Sequence, residues 1–208
     1  MLLFIGLLKK PKLLFIIAIA SILAISLLLW LSNGKATTTI TIGDTNILSF
    51  NDSGNGNLLV AQRTSLSQPA TLNSISFYVR TASGRLQLGI YDEADGQPNH
   101  LLTSTPVFTP VVGWNTLALS PISLAPGYYW LAYLPESNSL GFQADPSSGS
   151  GRWYSSPFGS MPSTFSPSSN SGAYHWSFYA TLTVTSSSIP TITPTPAPLP
   201  GSGYVYPL

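Results

Sequence analysis

Residues 73–93, NSISFYVRTASGRLQLGIYDE, decide the fold. Every second residue from 75 to 79 is apolar, and the same alternation resumes at 86–90 after a turn at 83–84. Alternate side chains of a strand lie on the same face of a sheet, so this pattern is typical of strands with a buried face. The stretch therefore predicts two β-strands joined by a Ser-Gly turn.

Short strands of this kind continue from residue 37 to residue 185, a region without helical periodicity. About nine such runs are separated by Gly, Pro, Asn and Ser, which is the spacing of an all-β sandwich. The sequence therefore predicts an all-β domain at 37–185, folded as an antiparallel two-sheet jelly-roll-like sandwich. The side chains expected to face its interior are Ile75, Phe77, Val79, Leu88, Ile90 and Trp176.

The aromatic run at 126–134, PGYYWLAYL, raises the question of whether its rings form a sugar-binding platform. In a strand, Tyr128 and Trp130 lie on one face, while Tyr129 and Tyr133 lie on the other. Because both faces are apolar, the run is typical of a central strand covered on both sides. We therefore expect most of these rings to pack in the core.

The N-terminal residues differ from the rest of the chain. Residues 13–31 are an unbroken apolar run, which as a helix would span about 28 Å, close to the ~30 Å core of a bilayer. Three lysines within 1–12 predict a cytoplasmic basic segment. We expect a transmembrane anchor or signal helix at 13–31, and the small residues of 34–36 leave cleavage open. The β-domain would then lie on the extracellular face of the cell membrane, or be secreted.

The C-terminal residues 186–208 repeat Pro with Thr. This composition favours extended polyproline II backbone and cannot form a packed core. We expect a Pro/Thr-rich tail.

The composition excludes several classes of function. Only 7% of the residues are charged, and all four lysines lie within the first 35 residues. The remaining chain has four arginines against seven acids, so it lacks the clustered positive charge of nucleic-acid-binding proteins. Because the chain has no cysteine, neither disulfides nor thiolate-bound metals hold the fold.

One candidate binding surface is the polar face of the predicted strands. It combines Tyr78, Arg80, Arg85, Gln87 and Tyr179, on strands expected to adjoin. Aromatic rings stack on the C–H faces of sugars, while amide and guanidinium groups bond sugar hydroxyls. The alternative interpretation is that these side chains form an ordinary solvated sheet face.

A second candidate lies in the serine-rich stretch 145–172, which is predicted to be a long loop. Trp153, Tyr154 and Phe158 cluster there, with Arg152 beside them. They fit either a glycan-binding surface or a lid that packs on the end of the sandwich.

No catalytic or metal constellation is found. The acids at 92–95 precede Gly96 without the alternation of a calcium loop, and Asp-Gly is a common turn pair. His100 and His175 are far apart in the chain, and no Gly-x-Ser-x-Gly elbow is present. We therefore expect a non-catalytic protein without a cofactor.

The segment from about 58 to 184 resembles jelly-roll-type, carbohydrate-binding-module-like β-sandwiches of secreted and surface proteins of bacteria and archaea. The resembling stretches are LNSISFYVRTASGRLQLGIYDEADGQPNHLL, GWNTLALS, APGYYWLAYL and FYATLTV. The resemblance implies an accessory, adhesive or structural role, with a glycan or cell-surface polymer as partner.

The N-terminal stretch LKKPKLLFIIAIASILA resembles a different class, the archaeal type IV pilins. Its basic-then-apolar layout, followed by a β-sandwich head, implies self-association into an extracellular filament. Where that family has Gly or Ala after the basic residues, this chain has Pro11 and Lys12. This is the alternative function.

Overall fold

Residues 36–186, which the computed structural model describes, form β-strands and no α-helix. No helix in this range is therefore long and apolar enough to cross a membrane. The expectations for 1–12, 13–31 and the tail beyond 186 lie outside the described residues. The strands are β1 (Ala36–Gly43), β2 (Phe50–Ser53), β3 (Leu58–Leu66), β4 (Ala70–Thr81), β5 (Leu86–Ala94), β6 (Gln97–Ser104), β7 (Gly113–Leu124), β8 (Gly127–Pro135), β9 (Gly141–Asp145), β10 (Gly151–Ser155), β11 (Asn170–Gly172), β12 (His175–Trp176) and β13 (Phe178–Ser186).

The strands form two sheets. The seven-stranded sheet has the order β1-β13-β4-β9-β12, with β2 beside β9 and β7 beside β4. The six-stranded sheet has the order β11-β10-β3-β8-β5-β6. The recorded pairings within both sheets are antiparallel, which confirms the prediction of an all-β, two-sheet sandwich. The strands outnumber the nine expected, because several are too short to show an alternating pattern.

The main core lies between the two sheets. Phe77 on β4 is fully buried, and its ring centroid is 4.7 Å from that of Tyr133 and 5.1 Å from that of Phe178. Burial of such a ring contributes about 2–3 kcal/mol to stability. The inward prediction is confirmed for all of its residues, each at most 5% exposed: Ile75, Phe77, Val79, Leu88, Ile90 and Trp176.

The strand β8 is central to the six-stranded sheet, between β3 and β5. Tyr133 is fully buried in the core between the sheets, whereas Trp130 is buried in a second cluster on the outer face. Tyr128, at the start of the strand, is 51% exposed. The interpretation of PGYYWLAYL as a central strand covered on both sides is confirmed.

The outer face of the six-stranded sheet is covered by residues 156–169, here named the cover segment. Met161 and Phe165 of this segment pack against Tyr91 and Trp130. The Tyr91 hydroxyl donates a 2.7 Å hydrogen bond to the carbonyl of Pro162. The prediction of a long loop at 145–172 is therefore wrong in part, because β10 and β11 lie within this stretch and its middle packs on a sheet face.

The acidic stretch before Gly96 forms a turn. Asp95 and Gly96 have φ values of 52° and 72°, and the flanking residues Ala94 and Gln97 are paired. This is the geometry of a two-residue hairpin loop, for which Asp-Gly is a preferred pair. The turn interpretation is confirmed.

Candidate binding site

A cleft opens between the two sheets near the edge formed by β2 and β12 on one side and β3 and β10 on the other. Its volume is about 240 Å³. The residues that line it are Asp52, Asn55, Leu58, Val60, Trp153, Tyr174 and Trp176. The lining therefore combines three aromatic rings with the polar side chains of Asp52 and Asn55.

Three rings form the aromatic wall. Tyr174 and Trp176 are stacked, with centroids 5.9 Å apart and planes 19° apart. Trp153 meets Tyr174 edge to face at 6.0 Å. Trp176 is buried, whereas Trp153 and Tyr174 are half-buried, so their rings are accessible from the cleft.

Two glycines allow these rings to lie close to the backbone. Gly151 and Gly172 are direct partners across β10 and β11. A Cβ atom at Gly172 would be 2.9 Å from Cη2 of Trp153, and one at Gly151 would be 3.2 Å from Cη2 of Trp176. Any larger residue at 172 would therefore displace the Trp153 ring.

The position of Trp176 is fixed from the opposite sheet. Its backbone N–H donates a 2.6 Å hydrogen bond to Oε1 of Gln62, and Nε2 of Gln62 donates to the carbonyl of Phe178 at 2.9 Å. The Gln62 side chain is only 2% exposed. This buried amide joins β3 to the β12–β13 region and sets the width of the cleft.

The polar rim comes from β2 and the turn after it. Asn55 has a positive φ of 62°, and its Nδ2 donates a 2.9 Å hydrogen bond to the Tyr133 hydroxyl. Burial raises the pKa of Tyr133 well above its usual value, and the nearby Asp52 carboxylate adds to the effect. Asp52 is half-buried and accepts a hydrogen bond from the backbone N–H of Ser53.

One donor at the cleft has no partner. Nε1 of Trp176 is buried and makes no hydrogen bond to any residue in 36–186. A buried polar group without a partner costs about 1–3 kcal/mol, and such groups are rare in native proteins. Because this atom has almost no accessible surface, an acceptor reaches it only after the surrounding side chains shift.

The first candidate surface is divided between the two sheets. Tyr78, Arg80 and Tyr179 belong to β4 and β13 of the seven-stranded sheet, whereas Arg85 and Gln87 lie at β5 of the six-stranded sheet. The expectation that all five share one face is wrong, because the chain changes sheets at the turn between β4 and β5.

The two tyrosines do come together. The ring of Trp114, on β7, lies 5.5 Å from that of Tyr78 and 4.9 Å from that of Tyr179, both edge to face. Arg80 is exposed on β4 next to this group. This outer surface of the seven-stranded sheet remains a predicted binding surface, without Arg85 and Gln87.

Gln87 on β5 and Arg85, which directly precedes this strand, are held by other contacts. Gln87 is 7% exposed, and it donates to the carbonyl of Thr105 at 2.9 Å while it accepts from the N–H of Met161 at 3.1 Å. Arg85 pairs with Glu136 at 2.7 Å. Gln87 therefore cannot contact a ligand, since the cover segment lies over it.

The second candidate cluster is also divided. Trp153 lines the cleft, whereas Tyr154 points to the other face of β10, where its ring is 4.9 Å from that of Phe165. Phe158 belongs to the cover segment and packs against the outer-face cluster. Its ring centroid lies 5.1 Å from Cζ of Arg85. Trp153 alone of these residues lies at the cleft.

The sequence reasoning missed most of the cleft. Trp176 was expected to face inward, but Asp52, Asn55 and Tyr174 were not considered for binding. The available signal was the pair of glycines at 151 and 172, each two residues before an aromatic residue. Their juxtaposition depends on strand pairing, which spacing does not reveal.

Comparison with known proteins gives no relative from which a role could be transferred: no family model, no curated protein and no solved structure matches this chain. Within 36–186, no group of three His, Asp or Glu side chains is placed to hold a metal ion. The cleft is therefore interpreted from its own side chains.

Proposed function

We propose that the β-domain is a non-catalytic glycan-binding module, and that the cleft holds one sugar ring of its ligand. The observation that carries this proposal is the combination of three aromatic rings with the Asp52 carboxylate in the lining of one cleft. The rings supply an apolar surface for sugar C–H groups, and the Asp52 carboxylate accepts hydrogen bonds from sugar hydroxyls.

The chemistry of the lining favours a neutral sugar. Asp52 is the charged side chain among the lining residues, and no cation lies beside it. A carboxylate accepts hydrogen bonds from sugar hydroxyls but repels anionic groups. The volume of about 240 Å³ is below the roughly 300–1,000 Å³ of drug-sized pockets, which suits a single ring.

The same lining supports binding without hydrolysis. Glycosidases use a pair of carboxyl groups that flank the scissile bond. Asp52 has no second carboxylate among the lining residues. We therefore assign it to hydroxyl binding and propose no reaction.

We also propose that this module acts outside the cell membrane, anchored or secreted, as a surface or adhesion domain of the jelly-roll type. The support is the apolar run at 13–31 and the resemblance of the segment 58–184. The filament alternative rests on the same N-terminal run, and electron microscopy of surface material distinguishes the two.

A glycan array with detergent-solubilised full-length protein tests the binding proposal. Trp153→Ala should lower affinity about tenfold, because loss of a stacked ring removes about 1–1.5 kcal/mol. Trp153→Phe should retain part of the affinity, and Trp114→Ala, a half-buried tryptophan on the other sheet, should leave it unchanged.

Two results would refute the assignment to the cleft. One is a folded wild-type protein that binds no glycan. The other is loss of binding in Trp114→Ala together with full binding in Trp153→Ala, which would move the site to the surface of Tyr78 and Tyr179.

A further inference from the structure

We propose that a second pocket, on the outer face of the six-stranded sheet, binds an anionic oxyacid group such as a carboxylate or sulfate through Arg152. This outer pocket has a volume of about 360 Å³. Its side-chain wall is formed by Arg63, Trp130 and Arg152, and its backbone wall by residues 149–151 and 171–173. The inference does not rest on the proposed function of the cleft.

The two guanidinium groups lie on one face of the sheet. Arg152 is paired with Ala61 across β10 and β3, and Arg63 is two residues further along β3. Diagonal neighbours of this kind, with long side chains, reach a common point. Both side chains line the same pocket.

Arg63 already has a fixed partner. Its Nε and Nη2 atoms each donate to Glu93 at 2.6 Å, and its guanidinium lies 3.6 Å from the centroid of the Tyr128 ring. Nε1 of Trp130 donates to the same carboxylate at 3.1 Å. Glu93 therefore neutralises Arg63 and holds it in place.

Arg152 has no such partner. It is half-buried, and it makes no salt bridge or side-chain hydrogen bond with the residues of 36–186. Asp95, which precedes the pocket residue Gly96, is paired with neither arginine. With one carboxylate for two guanidinium groups, the pocket has a net positive charge.

The rest of the lining lies beside Arg152, on its own segment and on the paired segment around β11, and it has small side chains or none. It consists of Gly149, Ser150 and Gly151 on one segment and Ser171, Gly172 and Ala173 on the other. A ligand can therefore approach to hydrogen-bonding distance of Arg152 without steric hindrance. A guanidinium binds the oxygens of carboxylates and sulfates in a bidentate manner, which gives charge-assisted hydrogen bonds.

The outer pocket and the cleft are separate. Arg152 and Trp153 are consecutive on β10, so their side chains point to opposite faces of the sheet. The cleft has a carboxylate and no cation, while the outer pocket has an excess guanidinium. The two sites therefore bind ligands of different charge, and a substitution that abolishes binding at one should leave binding at the other intact.

Titration of the full-length protein with sodium sulfate, methyl glucuronide and methyl glucoside at low ionic strength tests the proposal. The indole N–H resonance of Trp130 is a local reporter, since this side chain lines the pocket. We expect saturable shifts with the two anions and none with the neutral glycoside. Sulfate alone as ligand would identify a free oxyanion site, and tighter glucuronide binding would identify an acidic sugar.

Arg152→Gln should weaken anion binding at least tenfold, because charge-assisted hydrogen bonds contribute about 1.5–3 kcal/mol. The matched control is Arg85→Gln, which removes an exposed guanidinium outside the pocket and should change affinity less than twofold. Trp153→Ala should leave anion binding intact.

Three results would overturn the proposal. They are the absence of saturable anion binding in the wild type, unchanged binding in Arg152→Gln, and equal losses in Arg152→Gln and Arg85→Gln, which would indicate a general charge effect. Failure of glycan binding in the cleft would leave this proposal untouched.

Discussion

Trp153 and Tyr154 are consecutive residues whose rings belong to different hydrophobic clusters. Trp153 packs edge to face on Tyr174 at the cleft, and Tyr154 packs on Phe165 of the cover segment. The strand β10 therefore contributes one face to the proposed glycan site and the other to the covered side of the sheet. Changes on one face should leave the other largely intact.

We expect Phe165→Ala to lower stability without loss of glycan binding. Phe165 is 2% exposed and packs edge to face on Tyr91, so the truncation leaves a cavity and should cost about 3–5 kcal/mol. Denaturant unfolding and glycan affinity, measured on the same sample, check this. Loss of glycan affinity in Phe165→Ala protein that is still folded would show that the cover segment and the cleft are coupled.

Truncation in the main core should have a comparable effect on stability. Phe77→Ala removes a fully buried ring that contacts three other aromatic rings and should cost about 3–5 kcal/mol. Phe50→Ala is the control, because Phe50 is 46% exposed and should change stability by less than about 0.5 kcal/mol. Unchanged urea unfolding of the Phe77 variant would contradict the packing described above.

Gly172→Ala should weaken glycan binding more than it weakens the fold. The added Cβ would lie 2.9 Å from Cη2 of Trp153, so the ring must move away from its position at the cleft wall. Tryptophan fluorescence and glycan affinity report the displacement. Gly159→Ala is a matched control, since its Cβ would meet no atom within 4 Å. Normal affinity in Gly172→Ala would show that the cleft does not depend on the ring position.

The pair formed by Glu93 and Arg63 should contribute to the pH dependence of stability. Hydrogen bonds from the Arg63 side chain hold the pKa of Glu93 below its usual value, and Trp130 adds to this. A carboxyl group whose folded-state pKa is depressed stabilises the protein above its unfolded-state pKa, and that contribution is lost as the pH falls through the folded-state value.

We therefore expect Glu93→Gln to lower the free energy of unfolding by about 1–2 kcal/mol at pH 7, and by progressively less as the solution is acidified. Unfolding curves from pH 7 to about pH 3 measure the difference. Asp95→Asn is the control, because Asp95 lies at the exposed hairpin turn and forms no ion pair with the residues of 36–186. A constant difference between wild type and Glu93→Gln at every pH would contradict the assignment.

The sequence was sufficient to predict which side chains face the core. Alternation in β4 placed Ile75, Phe77 and Val79 inside, because burial of one sheet face imposes period two on the residues. It was not sufficient to predict which strands share a sheet. β4 pairs with β7 and β13, and β5 pairs with β6 and β8, so Tyr78 and Gln87 are in different sheets.

The cover segment and the cleft were hidden for a related reason. Gln87 and Tyr91 alternate with the inward residues and would face solvent in a simple two-layer sandwich, but Met161 and Phe165 cover them. These contacts join residues about 70 apart in the chain, as the Tyr91 hydrogen bond to Pro162 illustrates. Local spacing carries no information on such distant partners.

The order of the strands also determines when this domain can fold. β13 is the last strand of the described residues, and it lies between β1 and β4 in the seven-stranded sheet. During synthesis, β4 and β8 therefore leave the ribosome before β13. Until β13 follows, Phe178 cannot pack against Phe77. Domains dominated by distant strand pairings fold on a scale of about milliseconds to seconds. The seven-stranded sheet can therefore be completed only after β13 has left the ribosome.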